Sequence, residues 1–112
     1  MEQPIATYRE FYKFYLSEHQ DKTCRLLHVI GTTFVIAMLF MSIYKLDYRI
    51  FLLIPVVGYG FAWVGHFVFE KNKPATFKYP LWSLKSDFKM YFDILAGRLS
   101  IDSSKKDANY NY

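Results

Sequence analysis

Two long stretches of the chain carry no formal charge. Leu26 to Tyr44 reads LLHVIGTTFVIAMLFMSIY, nineteen residues without Asp, Glu, Lys or Arg, and Ile50 to Phe69 reads IFLLIPVVGYGFAWVGHFVF, twenty more. At 1.5 Å rise per residue each makes a helix about 30 Å long, the thickness of a bilayer's hydrocarbon core. Both are apolar on every face, and the rest of a 112-residue chain is too short to cover them as core helices of a soluble fold. Unbroken runs of this kind also exclude an outer-membrane barrel, whose strands alternate. Only Lys45 to Arg49 separates the two runs, so they pair as an antiparallel hairpin with both chain ends on one side. The pattern predicts an all-α membrane protein.

The flanks have a different rhythm. Thr7-Tyr8-Arg9-Glu10 is a capping-box pattern opening a helix to about Glu18, which carries Phe11, Tyr12, Phe14, Tyr15 and Leu16. Beyond the second run, Leu81, Leu84, Phe88, Tyr91 or Phe92, Leu95 and Leu99 recur at helical spacing, broken by Lys85, Asp87, Lys89 and Asp93, and Gly97 suits a stop. Amphipathic, aromatic-rich helices settle where acyl chains meet headgroups, so both flanks are expected to lie in the interface, with their aromatic clusters as anchors. The tail, residues 100–112, has no apolar period and is expected to be a disordered polar extension of a single domain, residues 1–99. The start, MEQPIATYREFYKFY, is polar-aromatic and carries acids, unlike a cleavable signal peptide.

Composition sharpens this picture in two places. Aromatic residues reach 21%, in excess of what a soluble core of this size needs and in keeping with interfacial anchoring. Lys and Arg number four before the first run, two between the runs and eight after the second, which puts both termini in the cytoplasm. The net charge of +4 suits an anionic membrane face; nucleic-acid binding would leave the two apolar runs unexplained. The single cysteine, Cys24, excludes an internal disulfide and reads as a free thiol near a helix start.

The candidate chemistry is in three histidines. His28 lies two residues inside the first run and His66 three residues before the end of the second, so a hairpin brings them to one end at nearly equal depth, and His19 leads into that end. An ionisable group inside a span costs a few kcal/mol and marks a functional position by default. Glu70 follows His66 by four residues and shares its helix face, while Gly31, Gly58, Ala62 and Gly65 let the two helices approach closely. Three imidazoles beside a carboxylate suit a transition metal. No HExxH or CxxC signature accompanies them, so other readings stand beside it: a structural His66–Glu70 pair, or two histidines bracketing a haem.

The run Gly58 to Tyr91, with its string Gly65-His66, Phe69-Glu70, Asn72 and Pro74-Ala75-Thr76-Phe77, resembles a small membrane family, that of the yeast 2-hydroxy fatty acid dioxygenase. Phe14 to Gly31 resembles the family's other block, a His in an SEH context followed by RxxHxxG. The resemblance covers about Tyr8 to Leu99. It implies an Fe(II)-dependent dioxygenase of the endoplasmic reticulum or a bacterial inner membrane, which uses O2 to shorten a 2-hydroxy fatty acid by one carbon. It also implies His19, His28 and His66 as the metal ligands. With three imidazoles on iron, open positions remain for the 2-hydroxy acid and O2. Glu70 would then assist His66, and Arg25, Asn72 and Lys73 are candidates to meet the anionic head. Phe61, Trp63 and Phe69 are candidates to line the acyl chain.

Overall fold

The computed structural model of the chain describes residues 5–73, 78–102 and 110–112. Among them are helices α1 (Tyr8–Ser17), α2 (Lys22–Lys45), α3 (Tyr48–Val64) and α4 (Pro80–Leu95), and a π-helical turn, Gly65–Glu70, continues α3. No strand occurs among the described residues. The Pro74–Phe77 part of the motif and residues 103–109 of the tail lie outside them.

Helices α2 and α3 form the hairpin. Helix α2, and α3 together with its π turn (Tyr48–Glu70), are long and apolar enough to cross a membrane, and few of their residues are buried by the rest of the protein. The connection is tighter than the charge pattern predicts: only Leu46 and Asp47 intervene, because Lys45 still completes α2 and Tyr48 already opens α3. Leu46 closes α2 in the left-handed region, φ 52°, and Asp47 caps α3 by accepting from the Arg49 backbone N–H at 3.0 Å. The small residues act as their positions suggest. A Cβ at Gly31 would lie 2.7 Å from Phe61 Cβ, one at Gly58 3.2 Å from Val35, and one at Gly65 2.9 Å from Cys24 Sγ.

The other two helices build a cap at the open end of the hairpin. Thr7 caps α1 by accepting from the Glu10 backbone, as the capping-box pattern requires. The aromatic residues of α1 depart from the anchoring role. Phe11, Tyr12, Tyr15 and Leu16 are buried with Met90 and Leu99 in a packed core between α1 and α4, with Tyr79 and Trp82 against it. The reason lies in α4, which turns a small and polar face inward through Ser83, Ser86 and Asp93. These groups meet the tyrosine hydroxyls: Tyr8 with Ser86 at 2.9 Å, and Tyr12 donating to Asp93 at 2.8 Å. Of the apolar stripe along and just beyond α4, Leu81, Phe92 and Leu95 face outward, as on an interfacial helix, whereas Tyr91 and Leu99 are buried and Leu84 and Phe88 turn toward α2 and α3. Gly97, φ 82°, ends the helix region as expected.

The last residues of the chain, 110–112, meet the cap. Tyr110 donates to Asp93 at 2.6 Å and accepts from Lys89 at 3.0 Å, while Tyr112 packs edge-on to Tyr12. Asp93 thus collects Tyr12, Tyr110 and, at 2.8 Å, Arg98.

Candidate metal centre and its cavity

His19 sits in the short link between α1 and α2, His28 on the second turn of α2, and His66 in the π turn. All three are buried, and one ring nitrogen from each lies within 4.8 Å of the others. The rings meet edge to face, with centroids 4.3 to 5.3 Å apart. The hairpin and the link before it therefore bring together the three residues that spacing placed at one end.

Their protonation follows from their partners. Nδ1 of His19 faces the Tyr15 carbonyl at 2.6 Å, and Nδ1 of His28 faces the Cys24 carbonyl at 2.9 Å. A carbonyl only accepts, so both Nδ1 atoms carry the proton. Asn72 directs its amide N–H groups at the Glu18 carbonyl, 3.2 Å, and carboxylate, 2.6 Å, which turns its Oδ1 to His66 Nδ1 at 2.7 Å. His66 therefore also donates through Nδ1. Burial, and then the neighbouring His28 and His66, holds His19 well below the ordinary histidine range, so that ring is neutral. Each ring is left with a bare Nε2 lone pair, and those of His19 and His28 are 3.2 Å apart. Lone pairs turned toward one another repel unless a cation sits between them. The donor set fits a metal ion, and the Nδ1 partners fix ring orientation as metal sites require.

The surrounding residues take roles that differ from several sequence expectations. Glu70 is not in the histidine cluster; its carboxylate accepts from the Asp21 backbone N–H and ties the end of the π turn to the start of α2. Asp21 itself caps α2 through Cys24 N, 2.9 Å. Arg25 is fully buried, donating from Nε to the His19 carbonyl at 2.6 Å and from Nη1 to the Ser100 carbonyl at 2.8 Å. It fixes the backbone of a proposed ligand. Asn72 orients His66, and Lys73 is exposed. Cys24 is buried against Gly65.

A cavity of about 360 Å³ opens beside the cluster, between α2, α3 and α4. One end holds His28 and Asp87, and from there it follows Thr32, Val35 and Leu39 down α2 and Tyr59, Pro55 and Phe51 along α3. The span from His28 to Leu39 is about 16 Å of helix. Phe61, Trp63 and Phe69 do not line it; Phe61 instead packs over Gly31. Helix registers decide this, since a face offset by one residue turns about 100° away.

Asp87 was not picked out by spacing, where it reads as one of several charges that interrupt an apolar stripe. Its Oδ1 accepts from Tyr15 Oη at 2.5 Å and lies 4.0 Å from His28 Nε2. Burial pushes this carboxyl up to about 7, against the pull of the Tyr15 hydrogen bond. Tyr15 also stacks on the His19 ring, centroids 3.9 Å apart. The available signal was the presence of an acid on the apolar side of α4, four residues before the stripe residue Tyr91.

No curated protein and no solved structure matches the chain. A family model described as 2-hydroxy-palmitic acid dioxygenase Mpo1-like matches residues 5–99, which takes in all three histidines, the hairpin and the cap. The chain belongs to the Mpo1-like family.

Proposed function

We propose that the chain is an Fe(II)-dependent dioxygenase, embedded in a membrane, that removes the carboxyl carbon of a 2-hydroxy fatty acid. The observation that carries this is the convergence of one ring nitrogen from each of three buried histidines beside an apolar cavity, in a chain whose family is described as 2-hydroxy-palmitic acid dioxygenase-like. One 2-hydroxy acid and one O2 give the acid one carbon shorter, CO2 and water. Four electrons leave the substrate and four reduce O2, so no further reductant is needed.

His19, His28 and His66 would hold the iron, with Tyr15, Cys24 and Asn72 keeping each Nδ1 proton in place. Bound there, iron supplies redox chemistry and open positions at which a 2-hydroxy carboxylate and O2 are brought together. The cavity takes the acyl chain, and its apolar walls keep bulk water from the reacting end. A haem fits poorly: a flat macrocycle would have to pass between rings already in edge-to-face contact.

Each histidine is required by this reading. Purified in mild detergent and loaded with Fe(II), the wild type should convert 2-hydroxypalmitate to the C15 acid under O2, with no Soret band. His19→Ala, His28→Ala and His66→Ala should each lose at least about a hundredfold in turnover and most of the bound iron. A variant that keeps wild-type iron and turnover removes that residue from the ligand set, and a wild type that forms no odd-chain acid refutes the reaction.

The charge distribution supports a topology with both termini cytoplasmic and the Leu46–Asp47 turn on the far side. Cysteines at Asp47 and Arg98, with Cys24 replaced, should label from opposite faces with an impermeant thiol reagent. Labelling of both from one face would rule this topology out.

A further inference from the structure

An acid on the wall of an apolar cavity needs a reason. Asp87 is the one carboxylate among the residues lining the cavity, and the side chains next to it there are Leu84, Phe88 and His28. Its position at the histidine end means that whatever occupies the cavity presents its polar head to Asp87. One carboxylate can accept several hydrogen bonds, and Tyr15 provides one of them, directed at Oδ1. Acceptor capacity therefore remains at the end of the cavity where a head group would lie.

The geometry of the partners narrows what that head group offers. Asp87 accepts but does not attract a second carboxylate, so the group it suits is a hydroxyl. Tyr15 is locked from behind, with its ring on His19 and its hydroxyl on Asp87, so the carboxylate is held at a fixed distance from the metal ligands. Asp87 also stands on one side only. It comes from α4, whereas His28 and the small residues Gly31, Gly58 and Ala62 form the opposite walls from α2 and α3.

We infer that Asp87 accepts a hydrogen bond from the 2-hydroxyl of the substrate, and so selects 2-hydroxy acids of one configuration at C2. This rests on the proposed reaction and adds to it a residue and a stereochemical preference. With the carboxylate head toward the histidines and the alkyl chain toward Leu39, the hydroxyl of one enantiomer points to α4. That of the other points to the Gly31 and Gly58 side, where the lining offers no acid. A site that hydrogen-bonds a substrate hydroxyl rejects the molecule that cannot present it.

The test compares resolved (R)- and (S)-2-hydroxypalmitate with the full chain in detergent, loaded with Fe(II). The quantity read is the ratio of the two kcat/KM values, which does not depend on how much of a preparation is active. Wild type should favour one enantiomer by about tenfold or more, the scale of one well-made hydrogen bond. Asp87→Ala should bring the ratio to about twofold or less. Asp87→Asn keeps an oxygen for Tyr15 and so protects the fold, but presents N–H groups to the cavity; it too should lose the preference. A wild type without preference, or Asp87→Asn with the wild-type ratio, overturns the inference. So does Asp87→Asn that has lost its iron, since Asp87 would then be a ligand. If wild type turns over neither enantiomer the reaction itself is wrong. Asp87 is then judged by equilibrium binding of the two enantiomers to zinc-loaded protein, where equal affinities overturn its role.

Discussion

The hairpin and the cap solve opposite problems with similar residues. In α2 and α3 the large side chains point away from the protein: Phe40 is 69% exposed and Leu52 63%. In α1 the aromatic residues point inward, with Phe11 and Tyr15 at 0% and 1% exposure. The hairpin needs outside contact to cover its apolar surface, as a bilayer provides. The cap covers its own, and gives each inward tyrosine hydroxyl an acceptor on α4. Hydrophobicity alone does not separate the two; what separates them is whether polar partners stand opposite. The histidine cluster lies where the two regimes meet, so its rings are held by a packed core on one side and open toward an apolar cavity on the other.

The contrast breaks most visibly at matched aromatic residues. Phe11→Ala empties a packed site and should lower stability by about 3–5 kcal/mol, whereas Phe40→Ala in detergent should change it by less than about 0.5 kcal/mol. Thermal unfolding in one detergent reads both, and equal losses would mean that the hairpin has a packed core of its own. A second, smaller effect is expected at the seam. Gly65→Ala places a Cβ 2.9 Å from Cys24 Sγ and 3.3 Å from the Cys24 Cα, so α2 must move. A cost of about 1–3 kcal/mol should follow, and, if the histidines hold a metal as proposed, a weaker hold on it, seen by unfolding and by metal content after loading and dialysis.

The smallest effect concerns acid. Burial pushes Asp93 up, but hydrogen bonds from Tyr110, Arg98 and Tyr12, with the charge of Lys89, outweigh it and hold the carboxyl below its usual range. A depressed carboxylate contributes stability that is complete above its unfolded value, about 3.9, and is lost as pH falls through the folded value. Below about pH 4 the tail should therefore leave the cap before the hairpin loses helix. Tyrosine fluorescence and far-ultraviolet circular dichroism, followed on one acid titration, should separate; coincident transitions would deny Asp93 this role.

The sequence displays the hairpin openly, because a lipid environment tolerates no charge along a span and the absence of charge is read directly. The meeting of His19, His28 and His66 followed from the hairpin and the short link that leads into it. The capping role of Thr7 and the stop at Gly97 were equally local matters. What stayed hidden depended on partners distant in sequence. Tyr12 and Tyr15 look like anchors until α4 is seen to offer Asp93 and Asp87, 81 and 72 residues away. Arg25 looks like a cation for a headgroup until the carbonyls of His19 and Ser100 are seen around it. The register that decides whether Tyr59 or Phe61 faces the cavity is a matter of helix rotation, which an all-round apolar run does not record.

The π turn, Gly65–Glu70, has a consequence for which changes of chain length the protein tolerates. A π turn closes its hydrogen bonds one residue later than an α turn, so it behaves as an α-helix holding one residue in excess. Removing one residue between Phe67 and Phe69 would let the turn relax into ordinary helix, a change that local backbone energetics favour. Because the excess is absorbed within the turn, the chain beyond would keep its face; one further residue added there, with no such reserve left, would instead rotate everything after it by about 100° relative to His66. Asn72 would leave the His66 ring and Glu70 would leave the start of α2, although no residue named in either contact had been altered. At this point in the chain, the count of residues is itself part of the site.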